Sequence, residues 1–277
     1  MPELPELEVV SRVLLRHIVG ETINQVEVFP PGAPVVIRDL THNGFGTGLT
    51  GSRITEVARR GKFLFFTLQK EQPLYLVLNP KLTGRLQLSA PADKRLKKTH
   101  VVITFSNGRQ LRYLDQRVMG QLYLTPDLNL VPDYTGMGPE PLDISPDEFR
   151  SRLKPFRGEI KGVLTRGQFV AGIGNAYADE ILWAAHIYPF RKRTQLSSDE
   201  IGQLYEAMRR TLLEAIDQVA AEMGEHIERK PRDFLAVHMK SGAPCPRCQT
   251  PVSVINTNQR ITNFCRTCQP GGLIKGM

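Results

Sequence analysis

The stretch CPRCQTPVSVINTNQRITNFCRTC, residues 245–268, places four cysteines in two tight pairs with the spacing C-x2-C-x16-C-x2-C. These are all the cysteines of the chain: Cys245, Cys248, Cys265 and Cys268. Each pair puts two thiolates on one turn, and two such turns complete a closed tetrahedral zinc site. The residues between the pairs alternate like a β-hairpin. We therefore predict a zinc ribbon with one structural zinc ion; disulfides are the less favoured alternative.

A basic excess surrounds this ribbon. The 277-residue chain has a formal net charge of +8, and residues 229–277 alone hold eight Lys or Arg against one acid. A basic module favours a polyanionic partner, although a solvated surface would give the same composition. The turn of the hairpin presents Asn258, Gln259 and Arg260, a polar tip suited to contacting phosphate.

The whole composition, 41% hydrophobic and 23% charged residues, is that of a globular protein. The length fits two or three domains. No apolar run reaches the ~20 residues of a membrane span, and the acidic start is unlike a signal peptide. We expect a cytoplasmic protein with no membrane partner.

Upstream of the ribbon the pattern is helical, and before that it is β. Residues 22–125 contain short apolar runs separated by turns, including Asn107-Gly108, which signals a hairpin; a β-sandwich or a barrel would fit. A proline-rich stretch then precedes helical segments, the longest of which we expect Ser198 to cap. The predicted domains are 1–130 (helix and β-domain), 131–146 (linker), 147–240 (helical domain) and 241–277 (zinc finger).

The motif VAGIGNAYADE, residues 170–180, favours a phosphate site. Gly172 and Gly174 allow a tight turn, and Asn175 stands where the next helix should begin, so backbone N–H groups and the helix dipole could meet an anion. Arg157 and Lys161 belong to the same neighbourhood. A close turn between two helices is the plain alternative.

The N-terminal sequence MPELPELE has two interpretations. Pro5 and Glu6 suit the first turn of a helix, but they leave Pro2 and Glu3 without a role. If Met1 is removed, Pro2 becomes a secondary amine with a carboxylate beside it, which is a nucleophile with a neighbouring acid.

Two further stretches carry candidate residues. Lys62 precedes an apolar strand, where a lysine usually just ends the strand in solvent. Arg117 and Met119 lie in a loop between strands; such a pair could fill the gap left by a base taken out of a duplex, or Met119 could belong to the core.

Taken together, six stretches in one order resemble the formamidopyrimidine-DNA glycosylase/endonuclease VIII family of bifunctional base-excision repair enzymes. They are PELPE, RRGKFL, SNGRQLRYLD, GPEPL, VAGIGNAYADE and NQRITNFCRTCQ. The resemblance covers essentially the whole chain. It implies an α+β fold: an N-terminal helix and β-sandwich, a helix–two-turn–helix domain and a C-terminal zinc ribbon.

The resemblance also implies roles for matching residues. The nucleophile would be Pro2, Glu3 would protonate the sugar ring oxygen, and Lys62 would supply a proton for β-elimination. Arg260 would bind phosphate and serve δ-elimination. The implied DNA contacts are Leu82, Lys98, Arg117, Met119, Arg157 and Asn175. Glu6 and Glu180 correspond to glutamates near the active site.

Four features depart from the family pattern. Leu82 replaces a void-filling methionine, Met119 replaces a phenylalanine wedge, and Lys98 stands where a DNA-contacting histidine is common, although His100 is kept. The segment between Phe234 and Cys245 is shorter than in members that excise 8-oxoguanine, which carry a glycine-rich loop over the flipped purine there.

We therefore predict a monomeric DNA glycosylase with AP-lyase activity on damaged double-stranded DNA, associated with the nucleoid if the source is bacterial. It would remove oxidised bases through a Pro2 Schiff base and cleave by β,δ-elimination. The alternatives are an AP lyase with little base excision, a non-catalytic zinc-ribbon protein that binds damaged DNA, and an RNA-binding zinc-ribbon protein, which the scarcity of aromatic residues disfavours.

Overall fold

The computed structural model describes residues 1–70, 72–257 and 260–271, with Thr257 and Arg260 described in their backbone only. The chain divides into two compact units: residues 1–136 with 218–231, and residues 137–217 with the chain from Arg232 on. A single long helix, Ser198–Met223, contributes residues to both units. The domain boundaries expected from composition stay predictions.

The first unit is mainly β. Its helices are α1 (Leu4–Ile18), α2 (Ala33–Val36) and α3 (Phe45–Leu49). Its strands are β1 (Ile23–Val28), β2 (Ile37–Asp39), β3 (Arg53–Arg60), β4 (Phe63–Gln69), β5 (Pro73–Asn79), β6 (Gly84–Ser89), β7 (Thr99–Phe105), β8 (Gln110–Asp115) and β9 (Gln121–Thr125).

These strands form two sheets. One has the order β1-β7-β8-β6 and is antiparallel throughout. The other has the order β2-β9-β5-β4-β3, in which β2 runs parallel to β9 and the remaining pairs are antiparallel. The predicted hairpin at Asn107-Gly108 joins β7 to β8, and Gly108 has the positive φ of +80° that its turn requires. The β-sandwich expected from the sequence is therefore present as two sheets with a buried apolar core.

Helix α1 begins as the sequence predicted. Glu3 and Glu6 form a reciprocal capping box, with Pro5 in the first turn. The apolar face of the helix, which includes Val10 and Leu14, is buried, and α1 packs against β3 and β4. This packing places the N-terminus of the chain at the second sheet.

The second unit is helical and ends in a β-hairpin. Its helices are α4 (Pro146–Leu153), α5 (Ile160–Leu164), α6 (Asn175–Ala184) and α7 (Ser198–Met223), and its strands are β10 (Ser253–Thr257) and β11 (Arg260–Phe264). Phe149 lies at the centre of the helical core, with the rings of Phe169 and Tyr205 at 5.1 Å and 5.5 Å.

Helix α7 differs slightly from expectation at its start. The cap is Ser197 rather than Ser198: its hydroxyl accepts from the Glu200 amide at 3.2 Å, and the Glu200 carboxylate accepts from the Ser197 amide at 2.8 Å. The reciprocal bond selects the earlier serine, because Glu200 is three residues beyond it. Across the described residues, no helix combines the length and the apolar character needed to span a membrane.

Candidate active site

Pro2 and Glu3 immediately precede α1, and both are buried. The Glu3 amide donates to Glu6 Oε2 at 2.8 Å, and the Glu3 side chain accepts from the Glu6 amide. Pro2 lines an apolar cavity of the first unit together with Leu7 and Leu64. The capping box thus fixes the backbone at Glu3, next to Pro2, and gives Glu3 a role in the helix that the sequence did not indicate.

An ion pair connects α1 to the turn that carries Lys62. Glu8 Oε2 accepts from Arg59 Nε at 2.8 Å, and Arg59 Nη1 donates to the Gly61 carbonyl at 3.2 Å. Burial by itself would raise the pKa of Glu8, but the hydrogen bond and charge of Arg59, with Arg12 beside it, lower the pKa instead. Lys62 is half-buried between Gly61 and the first residue of β4.

The residues expected to fill a void lie on two neighbouring loops. Leu82, between β5 and β6, is 41% exposed, and Met119, between β8 and β9, is 47% exposed. Arg117 is exposed on the same loop as Met119. The alternative that Met119 belongs to the core was therefore wrong, because nearly half of its side chain is exposed. Such exposure is unusual for a large apolar residue.

Both loops are held by one carboxylate, which the sequence analysis did not single out. Asp115 accepts hydrogen bonds from Thr83 Oγ1, Tyr113 Oη and the amides of Arg117, Met119 and Gly120. Burial would raise the pKa of Asp115, but the hydrogen bonds from Thr83, Gly120, Tyr113 and Arg117 outweigh burial and lower the pKa. Asp115 is therefore a buried carboxylate that is held ionised by the hydrogen-bond donors around it.

Lys98 and His100 also meet Asp115, through its backbone. The Asp115 amide donates to the Lys98 carbonyl at 3.0 Å, and His100 Nε2 lies 2.8 Å from the Asp115 carbonyl. The Lys98 side chain is exposed, whereas His100 is buried. Lys98 can therefore meet a ligand, and His100 supports the loop.

In the second unit, α6 begins at Asn175 as predicted. Gly172 has a φ of +89°, which a side chain would oppose, so the turn into the helix depends on glycine. Asn175 is half-buried at the helix start, and Arg157 is exposed.

The prediction that Lys161 belongs to a phosphate site was wrong. Lys161 is buried, and its Nζ lies 2.7 Å from Asp179 Oδ1 and donates to the Ile261 carbonyl at 2.7 Å and Thr262 Oγ1 at 2.9 Å. An ammonium group with these partners joins α5, α6 and β11. Its role is structural, since a buried charge requires a partner of opposite sign.

Two adjacent acids of α6 fix the segment before the ribbon. Glu180 accepts hydrogen bonds from three consecutive amides, those of Ala236, Val237 and His238, at 2.8–2.9 Å. Burial raises the pKa of Glu180 despite these bonds. Asp179 Oδ2 lies 2.8 Å from His238 Nδ1.

The four cysteine sulfurs form one cluster within 4.8 Å, as the spacing predicted. Cys248 and Cys265 sulfurs are 3.4 Å apart, and those of Cys245 and Cys268 are 3.9 Å apart. Disulfide sulfurs would be ~2.05 Å apart. Two thiolates on a tetrahedral zinc, with bonds of ~2.3 Å, lie ~3.8 Å apart. The cluster can therefore hold a metal ion.

The hairpin that carries the cluster packs on α6. Trp183 Nε1 donates to Cys245 Sγ at 3.4 Å, and the guanidinium of Arg247 lies 4.2 Å from the Trp183 ring centroid. Strands β10 and β11 pair from Ser253↔Phe264 to Thr257↔Arg260, which confirms the predicted hairpin. The side chain of Arg260, and Asn258 and Gln259 entirely, lie outside the described residues.

Comparison with known proteins gives the same assignment to both units. The family model for the formamidopyrimidine-DNA glycosylase N-terminal domain matches residues 1–122, and the H2TH-domain model of the same glycosylase matches residues 137–225. The formamidopyrimidine-DNA glycosylase of Symbiobacterium thermophilum is 36% identical to the chain, over 98% of the chain and 90% of its own length. The chain belongs to the formamidopyrimidine-DNA glycosylase family.

Further relatives and solved structures agree. The formamidopyrimidine-DNA glycosylase of Pelotomaculum thermopropionicum is 35% identical, over 97% of this chain and 99% of its own. A Lactococcus lactis family member in complex with DNA containing an abasic site superimposes with a TM-score of 0.85 at 31% identity, over 97% of this chain and all of its own. MutM in complex with DNA containing carbocyclic 8-oxoguanine gives a TM-score of 0.84 at 32% identity, over 98% and 100%.

These findings confirm the predicted family, the α+β fold class and the assignment to base-excision-repair DNA glycosylases. Sequence reasoning missed three residues that hold candidate residues or their neighbours in place: Arg59 and Asp115 in the first unit, and Asp179 in the second. Asp115 had a visible signal, because an acid that ends an apolar strand before a loop is well placed to accept loop amides.

Proposed function

We propose that this protein is a bifunctional DNA glycosylase and AP lyase whose nucleophile is the amine of Pro2 after removal of Met1. The observation that carries the proposal is the start of α1, where Pro2 and Glu3 are buried and the capping box fixes Glu3. The capping box gives Glu3 a part in starting the helix, but it gives Pro2 none, so the helix does not account for a buried proline at position 2. Family membership over 98% of the chain supports the same conclusion.

The proposed chemistry follows from a secondary amine. An α-amino group has a pKa of about 7.7–8.0, so part of it is unprotonated at neutral pH. Its lone pair forms a bond to C1′ while the bond from C1′ to the base breaks, and the base leaves with those electrons and gains a proton. The nitrogen loses its proton, which the departing base takes up. Glu3 then protonates the ring oxygen, and the nitrogen lone pair forms the C=N bond of an iminium as the bond from C1′ to that oxygen breaks.

The iminium then allows strand cleavage. Its positive charge acidifies the C2′ hydrogen, which is lost to water, and the electrons of that C–H bond break the C3′–O bond and expel the 3′-phosphate. Lys62 is the proposed donor of the proton that the leaving phosphate takes up. A second elimination then expels the 5′-phosphate, and Arg260 is proposed to bind that phosphate. Water finally hydrolyses the iminium and releases Pro2. Leu82, Lys98, Arg117, Met119, Arg157 and Asn175 are the proposed DNA contacts.

The metal of the cysteine cluster is proposed to be zinc, held by Cys245, Cys248, Cys265 and Cys268. With four thiolates and no open position, zinc would stabilise the hairpin and take no part in the reaction. We further propose that the protein acts as a monomer on damaged double-stranded DNA, in the cytoplasm and at the nucleoid in a bacterium.

Borohydride trapping on abasic duplex DNA tests the nucleophile. The native protein should lose Met1, as seen by intact mass, and form a covalent complex whose cross-link maps to residue 2. Pro2→Glu should keep Met1 and give no complex, because position 2 then bears an amide nitrogen. Pro5→Glu is the matched control and should be trapped normally. A cross-link on Lys62 would refute the mechanism.

A second candidate function, an AP lyase with little base excision, is favoured by one observation. The segment from Leu235 to Pro244 is short, and its first residues are bonded to Glu180, so little chain remains to cover a flipped base. Equal trapping on abasic DNA, with no release of any oxidised base from the same duplex, would select this alternative.

A further inference from the structure

Two exposed apolar side chains lie on loops that share a single anchor. Leu82 immediately precedes Thr83, whose hydroxyl donates to Asp115 Oδ1 and accepts from the Arg117 amide at 3.0 Å. Met119 lies on the other loop, where its own amide donates to Asp115 Oδ2 at 2.8 Å. The two loops are therefore joined through one carboxylate and one hydroxyl.

The loop of Met119 has a strained backbone. Val118 has a φ of +54°, a conformation that a β-branched residue rarely adopts. Such conformations persist when the surroundings determine them fully. Here the amides on both sides of Val118, those of Arg117, Met119 and Gly120, converge on Asp115 at 2.7–3.2 Å. The carboxylate thus acts as an anion bound in a nest of backbone N–H groups.

The other loop is constrained in a similar way. Lys81, just before Leu82, has a φ of +46°. The Gly84 amide donates to the Pro80 carbonyl at 2.9 Å, which closes the turn around Leu82.

Tyr113 fills the space between the loops, and two glycines make room for it. A side chain carbon on Gly120 would lie 1.8 Å from Tyr113 Oη, and one on Gly84 would lie 2.6 Å from the same atom. Tyr113 Oη donates to Asp115 Oδ2 at 3.0 Å. The Asp115 side chain is fully buried beside Tyr113.

We propose that Asp115 is a positioning residue that holds Leu82, Arg117 and Met119 as one preformed wedge for the space vacated by the extruded base. This inference rests on the proposed function. A rigid wedge enters the duplex without first being ordered, so the loss of conformational freedom on binding is smaller. Asp115 acts through the loops and does not touch the reacting atoms.

Asp115→Asn in the full-length protein tests the inference on two substrates. The first is a duplex with a damaged base next to 2-aminopurine, whose fluorescence rises when a side chain unstacks it. The second is an abasic site in single-stranded DNA, which offers no void to fill. The asparagine amide would turn an N–H₂ donor toward amides that need an acceptor.

The expected result is a split between the two substrates. Excision in the duplex should slow by about 10- to 100-fold, because a small misplacement of positioning groups has effects of that size. The 2-aminopurine signal should fall with it, while borohydride trapping on the single strand stays unchanged. The matched control is Asp39→Asn: Asp39 also caps loop amides, those of Thr41 and Gly44, and its substitution should leave both readouts unchanged.

Thr83→Val provides a second test if Asp115→Asn does not fold. It removes the hydroxyl shared by both loops and should produce the same split to a smaller extent. Unchanged excision and fluorescence in a folded variant would overturn the inference, and so would an equal loss on the single strand. Failure of the proposed function is distinguishable, because the native protein would then give no trapped complex on either substrate.

Discussion

At the scale of single residues, the first unit depends on a carboxylate that must stay ionised. The folded state lowers the pKa of Asp115, so its stabilisation is present above the ordinary Asp pKa of about 3.9 and is lost as the pH falls through the lower, folded-state value. Protonation removes the negative charge that the loop amides and Thr83 bind.

We therefore predict that Asp115→Asn lowers the free energy of unfolding most near pH 7, and that the difference from the native protein shrinks as the pH falls below about 4. The reason is that a protonated Asp115 resembles asparagine. Urea unfolding at a series of pH values measures this. A difference that stays constant down to pH 3 would show that the charge of Asp115 is not what stabilises the loops.

The pair Lys161–Asp179 gives a second prediction at this scale. Lys161→Met leaves the fully buried Asp179 carboxylate without its cation, and removing one partner of a buried pair costs about 3–5 kcal/mol. Urea unfolding should show this loss, with Lys154→Met, at an exposed position, as the matched control. A loss below about 1 kcal/mol, the size of a surface pair, would mean that the site rearranges.

These residues also show where sequence reasoning ends. Pro2 and Glu3 stood out because the sequence indicated no role for them in the helix, although Glu3 proves to cap it. The cysteines stood out because their spacing is typical of a metal site. Lys161 was grouped with Arg157 near a phosphate site because both belong to one stretch upstream of the glycine-containing turn. Its actual partner, Asp179, comes from another helix, and that contact exists only in the folded chain.

At the scale of elements, strands with regular alternation were predictable and irregular ones were not. Strand β3 shows no alternation in the sequence, because its buried residues, Ile54 and Val57, are three positions apart. A register shift between Ile54 and Glu56 inserts the extra residue and breaks the period of two. The short elements α2, α3 and β2 show no period in the sequence either, since three to five residues are too few for one.

The ribbon hairpin carries a prediction of its own, because the single tryptophan of the chain donates to Cys245 Sγ. We expect one zinc ion per chain by elemental analysis. Chelation should shift the emission of Trp183, because the hairpin has a small core without its metal and should leave the ring.

The paired variants for this test are Cys248→Ser and Ser253→Ala. The first should lose zinc and reproduce the shifted emission, since three thiolates leave the site open. The second changes the same hairpin without touching a ligand and should keep both. Full zinc content in Cys248→Ser would contradict a site made of all four cysteines.

At the scale of the whole molecule, the charge distribution can be read from the sequence, whereas the division into two units can be read only from the structure. The basic excess of residues 229–277 is visible in the sequence and favours DNA as the partner. The division into two compact units is not visible there, because the division at Asp217 falls inside α7. The helical period continues across this point without interruption.

The last prediction concerns the lesion, and it depends on the segment from Leu235 to Pro244. Holding a flipped base needs stacking and edge hydrogen bonds, and extrusion costs a few kcal/mol, least for damaged or poorly paired bases. 8-Oxoguanine stacks and pairs almost normally, so its extraction relies most on a loop that grips the purine. Here Glu180 binds the amides of Ala236, Val237 and His238, so this segment cannot extend as such a loop without losing three hydrogen bonds.

We therefore expect formamidopyrimidines, hydantoins, oxidised pyrimidines and abasic sites to be processed faster than 8-oxoguanine opposite cytosine, by about tenfold or more, which corresponds to about 1.4 kcal/mol of lost grip. Single-turnover excision on duplexes that differ in the lesion alone measures this ratio. An abasic site in the same sequence is the internal control, because it needs the wedge but no grip on a base. If 8-oxoguanine is released as fast as formamidopyrimidine, another segment must hold the purine, since the residues bonded to Glu180 are already committed.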